Sequence, residues 1–522
     1  MTTLNVDVLA TVCEFLIDLP DILSIALTCS SLRPVADRWL LSSRTINLET
    51  KESIRKFHSF LFASPHSRTP HVRAVGLTLD LSHSRPSSGL PEQMDGDFSL
   101  LIDILTSCPR LEHIKLFCGN LSSEGKLEDS LVVVNTIVAI PSLRSIHVSG
   151  MTKEVVTVLR EVRAPLQMVG LYCVNDPGDY WYPAALQNAL NLTRIAPTLE
   201  NLELSFFTVD EEENQAVFNT STPSILNMAQ YPAVRSLAVQ CLVRQPRLDR
   251  LQHLFPALDD TLSLGKVYWL HEDSYARVRA ENLRAQRDAP SRSWKKLDRV
   301  RMDDAPMFYI LGLMCPIRMI SLEYPKYTKL HYARDALREN PVPQLRLSLM
   351  FRPQTRMLDD LLSPELARTL THLMLCLVCS NGTGQRQEEA FVQLQWDEFL
   401  GEILSAVQHL HKLTHLRIVV YAAISLGTPW SGPYSEGLID AMRGSAFDFK
   451  GTAAALARPL PSLQFLALTM SGCLTCHDPS DSDREVHERW NVTEAWRVAA
   501  RPSTGVAQDS EPVLVARSLR RS

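Results

Sequence analysis

One spacing of apolar residues returns along most of this chain: positions i, i+3 and i+5, often with proline two residues before the first. It appears in "PHVRAVGL" (70–77), "PRLEHIKL" (109–116), "PSLRSIHV" (141–148), "PLQMVGL" (165–171), "PTLENLEL" (197–204) and "PAVRSLAV" (232–239). It continues in "KLDRVRM" (296–302), "PIRMISL" (316–322), "VPQLRL" (342–347), "LTHLML" (370–375), "KLTHLRI" (412–418) and "PSLQFLAL" (461–468). The last two apolar residues of each copy lie two apart, so they share one face of a short strand. The first turns inward as the chain enters that strand. About a dozen copies of Leu-x-x-Leu-x-Leu mark leucine-rich repeats, although intervals of about 20 to 60 residues exceed the regular 20–29. The long intervals hold insertions or unrecognised repeats.

Helical periodicity fills parts of the intervals, at 97–108, 182–195 and 396–411. Strand, helix and parallel strand in succession predict an α/β solenoid, with parallel strands on its concave face and helices outside. The stretches 81–97 and 379–389 read as exposed loops, and 271–293 as a charged, solvated helical insertion. Beyond Cys476 the chain is polar, with a helix expected at "VHERWNVTEAWRVAA" (486–500).

The first 40 residues differ. Val8, Leu9, Val12, Phe15 and Leu16 give one helical face over 4–17. Asp18 to Pro20 end it, and Asp21 caps a second helix containing Ile22, Leu23, Ile25, Ala26, Leu27 and Cys29. Ser30 and Ser31 offer the cap of a third, striped by Leu32, Val35, Ala36 and Trp39. Three short helices cannot enclose a core of their own. Each large side chain buried contributes about 1.5–3 kcal/mol. Half a dozen on a partner would match an association cost of roughly 4–15 kcal/mol. The surface therefore meets either the rest of the chain or another protein.

These residues resemble the F-box family. Leu4, Asp7, Val8, Leu9, Val12, Phe15 and Leu16 match its opening, Leu-Pro-x-Glu-Leu-Leu-x-x-Ile-Phe-x-Tyr-Leu. Asp21, Ile22, Leu23, Ile25, Ala26, Cys29, Val35 and Ala36 match its second half. The wording looks most like F-box-like proteins of mushroom-forming fungi. Asn5 stands where the family has proline, and Leu32 where it has tryptophan. The resemblance implies a non-catalytic substrate receptor of a cullin–RING (SCF-type) ubiquitin ligase, working in the cytoplasm or nucleus. Leu4, Val8, Leu9, Val12, Phe15, Leu16, Ile22 and Leu23 would dock on a Skp-type adaptor, and through it on cullin. The domains expected are a helical F-box-like domain (1–45), an irregular repeat body (46–476) and a polar, partly disordered tail with a short helix (477–522). A repeat scaffold whose helices merely cap the body is the alternative.

Composition narrows the partner. The 522 residues carry a formal net charge of −5, which argues against general nucleic-acid binding. No apolar run suits a bilayer, and the N-terminus lacks the basic opening of a secretory signal. On the predicted strands the i+4 residue points away from the core: Gly76, Lys115, His147, Gly170, Glu203, Ala238, Arg301, Ser321, Arg346, Met374, Arg417 and Ala467. Cations dominate this row. Lys115, His147, Arg301, Arg346 and Arg417 thus suggest a surface for an acidic or phosphorylated target. The competing reading is local neutralisation by neighbours such as Asp303 and Glu323.

Other motifs carry less. "CLTCH" (473–477) has haem-attachment spacing without the compartment that attachment needs, and reads as a free-thiol loop. Cys376 and Cys379 would face opposite sides of a strand. His411 and His415 lack the glutamate of a zinc-protease helix. No cofactor or metal is expected, and no nucleophile elbow, kinase signature or phosphate loop is present.

Overall fold

The computed structural model describes Val8, Thr11 and residues 19–28, 33–78, 95–117, 127–150, 159–172, 192–208, 230–243, 245–268, 270–323, 327–351, 357–380, 395–426, 436–443, 447–476, 485–499 and 514–517. The chain divides into two compact units, Met1–Leu258 and Asp259–Ser522.

The first unit starts with helices α1 (Leu19–Thr28) and α2 (Arg33–Ser43). Strands β1 (Thr45–Leu48), β2 (Ala74–Thr78), β3 (His113–Phe117), β4 (Ser145–Ser149), β5 (Met168–Tyr172), β6 (Asn201–Thr208) and β7 (Ser236–Val243) then pair in chain order, all parallel. Helices α3 (Lys51–Phe62), α4 (Asp95–Ser107) and α5 (Leu127–Val138) lie between strands, and α6 (Leu248–Leu254) follows them. The repeat spacing builds the core directly. Leu111, Ile114 and Leu116 are at most 1% exposed, as are Leu143, Ile146 and Val148, and Leu199, Leu202 and Leu204. Just before each of β3 to β7, one carbonyl accepts two successive N–H groups of the next repeat. Glu112 O takes those of Arg144 and Ser145 at 2.8 and 3.0 Å, and Arg144 O those of Gln167 and Met168.

In the second unit β8 (Thr261–Tyr268), β9 (Leu297–Met302), β10 (Ile317–Glu323), β11 (Gln344–Met350), β12 (His372–Ser380), β13 (His415–Leu426) and β14 (Phe465–Cys476) are again parallel. Between them lie α7 (Tyr275–Asp288), α8 (Ala305–Leu311), α9 (Leu330–Glu339), α10 (Met357–Leu361), α11 (Trp396–Val407), α12 (Glu436–Arg443) and α13 (Phe449–Ala457). The direction then reverses: β15 (Glu485–Val498) runs antiparallel to β14, and β16 (Leu514–Arg517) antiparallel to β15.

The α/β repeat with parallel strands is therefore present, and the expected helices at 97–108 and 396–411 form. Strands β1 and β8 are repeats that the spacing misses. In β8 an extra residue separates Leu258 from the pair Leu262 and Leu264, which breaks the i, i+3, i+5 count although all three are buried.

Four expectations are corrected. The 486–500 stretch is strand, not helix: Trp490, Val492, Trp496 and Val498 fall on alternate positions of β15, a period-two pattern that a sheet face selects. Cys473 lies on β14 rather than in a loop. Residues 379 and 380 belong to β12, with Cys379 fully buried. The charged 271–293 stretch is not a solvated insertion. Its α7 buries Tyr275, Val278, Arg279, Asn282 and Gln286 against α8. Asn282 donates to Ile310 O at 3.0 Å, and Gln286 to Gly312 O at 2.8 Å. Gly312 ends α8 at φ 54°, a left-handed conformation that glycine adopts without strain. Expectations at 81–94, 182–191 and 381–389 lie outside the described residues.

Residue 472 shows how tightly the reversed strand sits. A Cβ on Gly472 of β14 would collide with the Trp490 ring of β15 and lie 2.6 Å from Ala422 O. Gly472→Ala is expected to lower the melting temperature and shift tryptophan fluorescence, as Trp490 is forced from its seat; an unchanged melt and spectrum would refute this packing.

Candidate functional site

Strand register places the predicted outward residues in continuous rows. In the first unit Asn47, Gly76, Lys115, His147, Gly170, Glu203 and Ala238 are successive neighbours. In the second, Ser263, Arg301, Ser321, Arg346, Met374, Arg417 and Ala467 are. All twelve i+4 residues read from the sequence occupy these rows. Lys115 and His147 therefore belong to one unit, and Arg301, Arg346 and Arg417 to the other.

The cations differ in their surroundings. Lys115 is exposed, while His147 stacks on Tyr172 with ring centroids 6.2 Å apart. The Tyr172 hydroxyl donates to Glu203, so a carboxylate stands beside this stretch. Burial, more than any charge, lowers the His147 pKa and raises that of Tyr172. Arg301 is neutralised: it bonds Glu323 at 2.7 Å and lies 3.9 Å from Asp303. Arg346 and Arg417 have no ion-pair partner among the described residues, and Arg346 Nε is buried without a hydrogen bond. Local neutralisation thus accounts for Arg301 and not for the other two.

Arg346 and Arg417 line an open cavity of about 710 Å³ on the second unit. Two strand spacings, about 10 Å, separate their backbones, with Met374 between. The lining also includes Met319, Gln344, His372, His415, Phe465, Trp496 and Arg497, and contains no Asp or Glu. Arg497 comes from β15, where its guanidinium lies 5.9 Å from the centre of the Phe465 ring.

His372, His415 and Phe465 form a stack with centroids 4.1 and 4.7 Å apart. Hydrogen bonding favours one tautomer of each imidazole. The Thr371 hydroxyl donates its one proton to Pro343 O at 3.0 Å, so its oxygen accepts from His372 Nδ1–H at 2.9 Å. Thr414 likewise donates to Thr371 O and accepts from His415 Nδ1–H, both at 2.9 Å. Each neutral ring then keeps its Nε2 lone pair, with no partner for it among the described residues. Burial first, and then the charge of His372, hold the His415 pKa below 6.5. The cavity can therefore attract an anion through arginine, accept N–H donors on two imidazoles and shelter apolar groups.

His372, His415 and Phe465 sit two residues before the i+4 row, at i+2, and are absent from the sequence-derived site. Strand alternation carries the signal for them, because i+2 and i+4 share a face. Trp496 and Arg497 were hidden by the helical reading of β15.

The N-terminal candidates are partly visible. Val8 is helical and 47% exposed, Leu23 is 43% exposed, and Leu27 of the same helix is 85% exposed. Ile22 is fully buried. Leu4, Leu9, Val12, Phe15 and Leu16 lie outside the described residues. Helix α2 is tied to the body through Asp37, whose carboxylate takes two bonds from the buried Arg68 at 3.1 and 3.3 Å.

No family model and no curated protein matches the chain. Thirty-one chains of solved structures do. One is a crystal structure of a TLR13–ssRNA13 complex, 14% identical with a TM-score of 0.31, covering 72% of this chain and 48% of that one. The chain thus spans about half the length of that protein. At this level of agreement, the repeat reading stands on the strand register above. No described helix is long and apolar enough to cross a membrane, and no cluster of three metal-ligating side chains occurs among the described residues.

The titration of His415 is measurable. Its folded pKa lies below its unfolded value, so the unfolded chain binds more protons in that window and stability falls as pH drops below 6.5. Imidazole NMR should show a His415 midpoint below 6.5 and protonated Nδ1 in the neutral form, and His415→Gln should flatten the loss of thermal stability between about pH 7 and 5. A midpoint at or above 6.5 would contradict the stacked arrangement.

Proposed function

We propose that this chain is a non-catalytic substrate receptor: its N-terminal helices bind a Skp-type adaptor of a cullin–RING ubiquitin ligase, and its repeat sheet holds a target protein. The coarser part, a leucine-rich-repeat-like fold of the kind that serves as a protein-binding scaffold, follows from the parallel register. The adaptor role rests on the F-box resemblance and on one observation: α1 keeps Leu23 and Leu27 in solvent while its Ile22 is buried. A helix that only capped the body would turn its large apolar residues inward. Adaptor and cullin place the reaction in the cytoplasm or nucleus. The receptor's contribution there is proximity, bringing a target lysine to a ubiquitin-charged enzyme. Arg346 and Arg417 favour a target with acidic or phosphorylated character over a nucleic acid or membrane, since the overall charge is negative.

Leu23→Asp with Leu27→Asp changes only exposed positions. The doubly substituted chain should melt as the parent does and lose capture of the host's Skp-type adaptor by at least about tenfold. Equal capture by both chains, or none by the parent, would leave the repeat body as a scaffold alone.

A further inference from the structure

We infer that the cavity between β11 and β15 is built for the free carboxy-terminal end of a polypeptide whose last side chain is apolar. This rests on the reading of the sheet face as the target surface and narrows it to one kind of segment. Four observations lead there. First, the positive charge is confined to the cavity. Arg346, Arg417 and Arg497 line it from β11, β13 and β15, whereas the adjoining row is Glu323, Ser348, Cys376, Val419 and Thr469. Arg346 and Arg417, about 10 Å apart at the backbone, can both reach toward one anionic group between them.

Second, no Asp or Glu is among the residues lining the cavity, and Arg346 Nε is already desolvated without a partner. Third, the rest of the wall is apolar or aromatic: Met319, Met374 and Phe465 accommodate a hydrophobic side chain beside the anion. Fourth, the Thr371 and Thr414 hydroxyls occupy both Nδ1–H groups, which leaves two Nε2 acceptors on adjacent strands. A chain terminus brings all the complementary groups within one or two residues: a carboxylate for the arginines, backbone N–H for the imidazoles and a side chain for the wall. An internal phosphoserine supplies the anion without setting an apolar side chain on the same residue.

Retention on immobilised full-length chain tests this with four random peptide pools. One ends in Leu, Val or Phe with a free carboxylate, and its match is amidated. Two further amidated pools carry an internal phosphoserine or glutamate. The free-acid pool should be retained at least about tenfold better than its amidated match. Arg346→Met with Arg417→Met should erase the difference, while Arg301→Met, at an arginine already paired with Glu323, should preserve it. The exposed Arg417→Gln serves alone if the double variant does not fold. Equal retention of amidated and free-acid pools overturns the inference but keeps the face as a peptide-binding surface. Stronger retention of the phosphoserine pool overturns it in favour of an internal phosphorylated segment. Retention of no pool overturns both this inference and the target-binding reading, while adaptor capture is judged by its own assay.

Discussion

Everything on the open face depends on strand register. Side chains alternate along a strand, so a slip by one residue would exchange the buried leucines for the arginines and histidines beside them. Two features oppose such a slip. Paired apolar residues on every parallel strand from β2 to β14, among them Leu373 and Leu375 on β12 and Leu416 and Ile418 on β13, are buried to within 2%. Before β3 to β7 and again before β12 to β14 a single carbonyl receives two consecutive N–H groups from the next repeat; Thr371 O takes those of Thr414 and His415 at 2.9 and 3.0 Å. The same carbonyl accepts the Thr414 hydroxyl, which in turn orients His415. Core, ladder and site are thus linked through one backbone oxygen.

Charge on this face is decided by neighbours more than by counts. Arg301 and Arg346 occupy equivalent positions two strands apart, with Ser321 between them. Glu323 of β10 lies on a strand adjacent to both; its carboxylate bonds Arg301 and not Arg346, whose row neighbours are Ser321 and Met374. A row that reads as uniformly basic therefore contains one satisfied guanidinium and two that face a wall free of carboxylates. Exposed ion pairs such as that of Arg301 contribute little stability, about 0–1 kcal/mol, so their consequence here is to locate the remaining positive potential.

The sequence discloses the repeat because a buried strand demands apolar residues two apart, and that demand leaves a countable trace. It discloses Arg346 and Arg417 for the same reason, since the residue between two buried ones faces outward. Its silence elsewhere has physical causes. β8 carries one extra residue before its apolar pair, and β1 lacks the leading leucine. In β15 Glu494 interrupts an alternation that Trp490, Val492, Trp496 and Val498 would otherwise make plain. The buried polar face of α7 is charged in composition because Arg279, Asn282 and Gln286 satisfy backbone carbonyls of the α8 turn rather than water. The cavity itself joins residues more than a hundred positions apart, so no local pattern could have drawn it.

The reversed strand β15 has an architectural consequence. A ladder of parallel repeats can lengthen by duplication, because each new unit presents the edge that the next one needs. An antiparallel strand after β14 ends that series, since a duplicated repeat placed there would have to displace β15. Arg497 and Trp496 would leave with it. Growth at this end of the unit would thus strip Arg497 and its β15 neighbours from a cavity that the strands before β15 otherwise line.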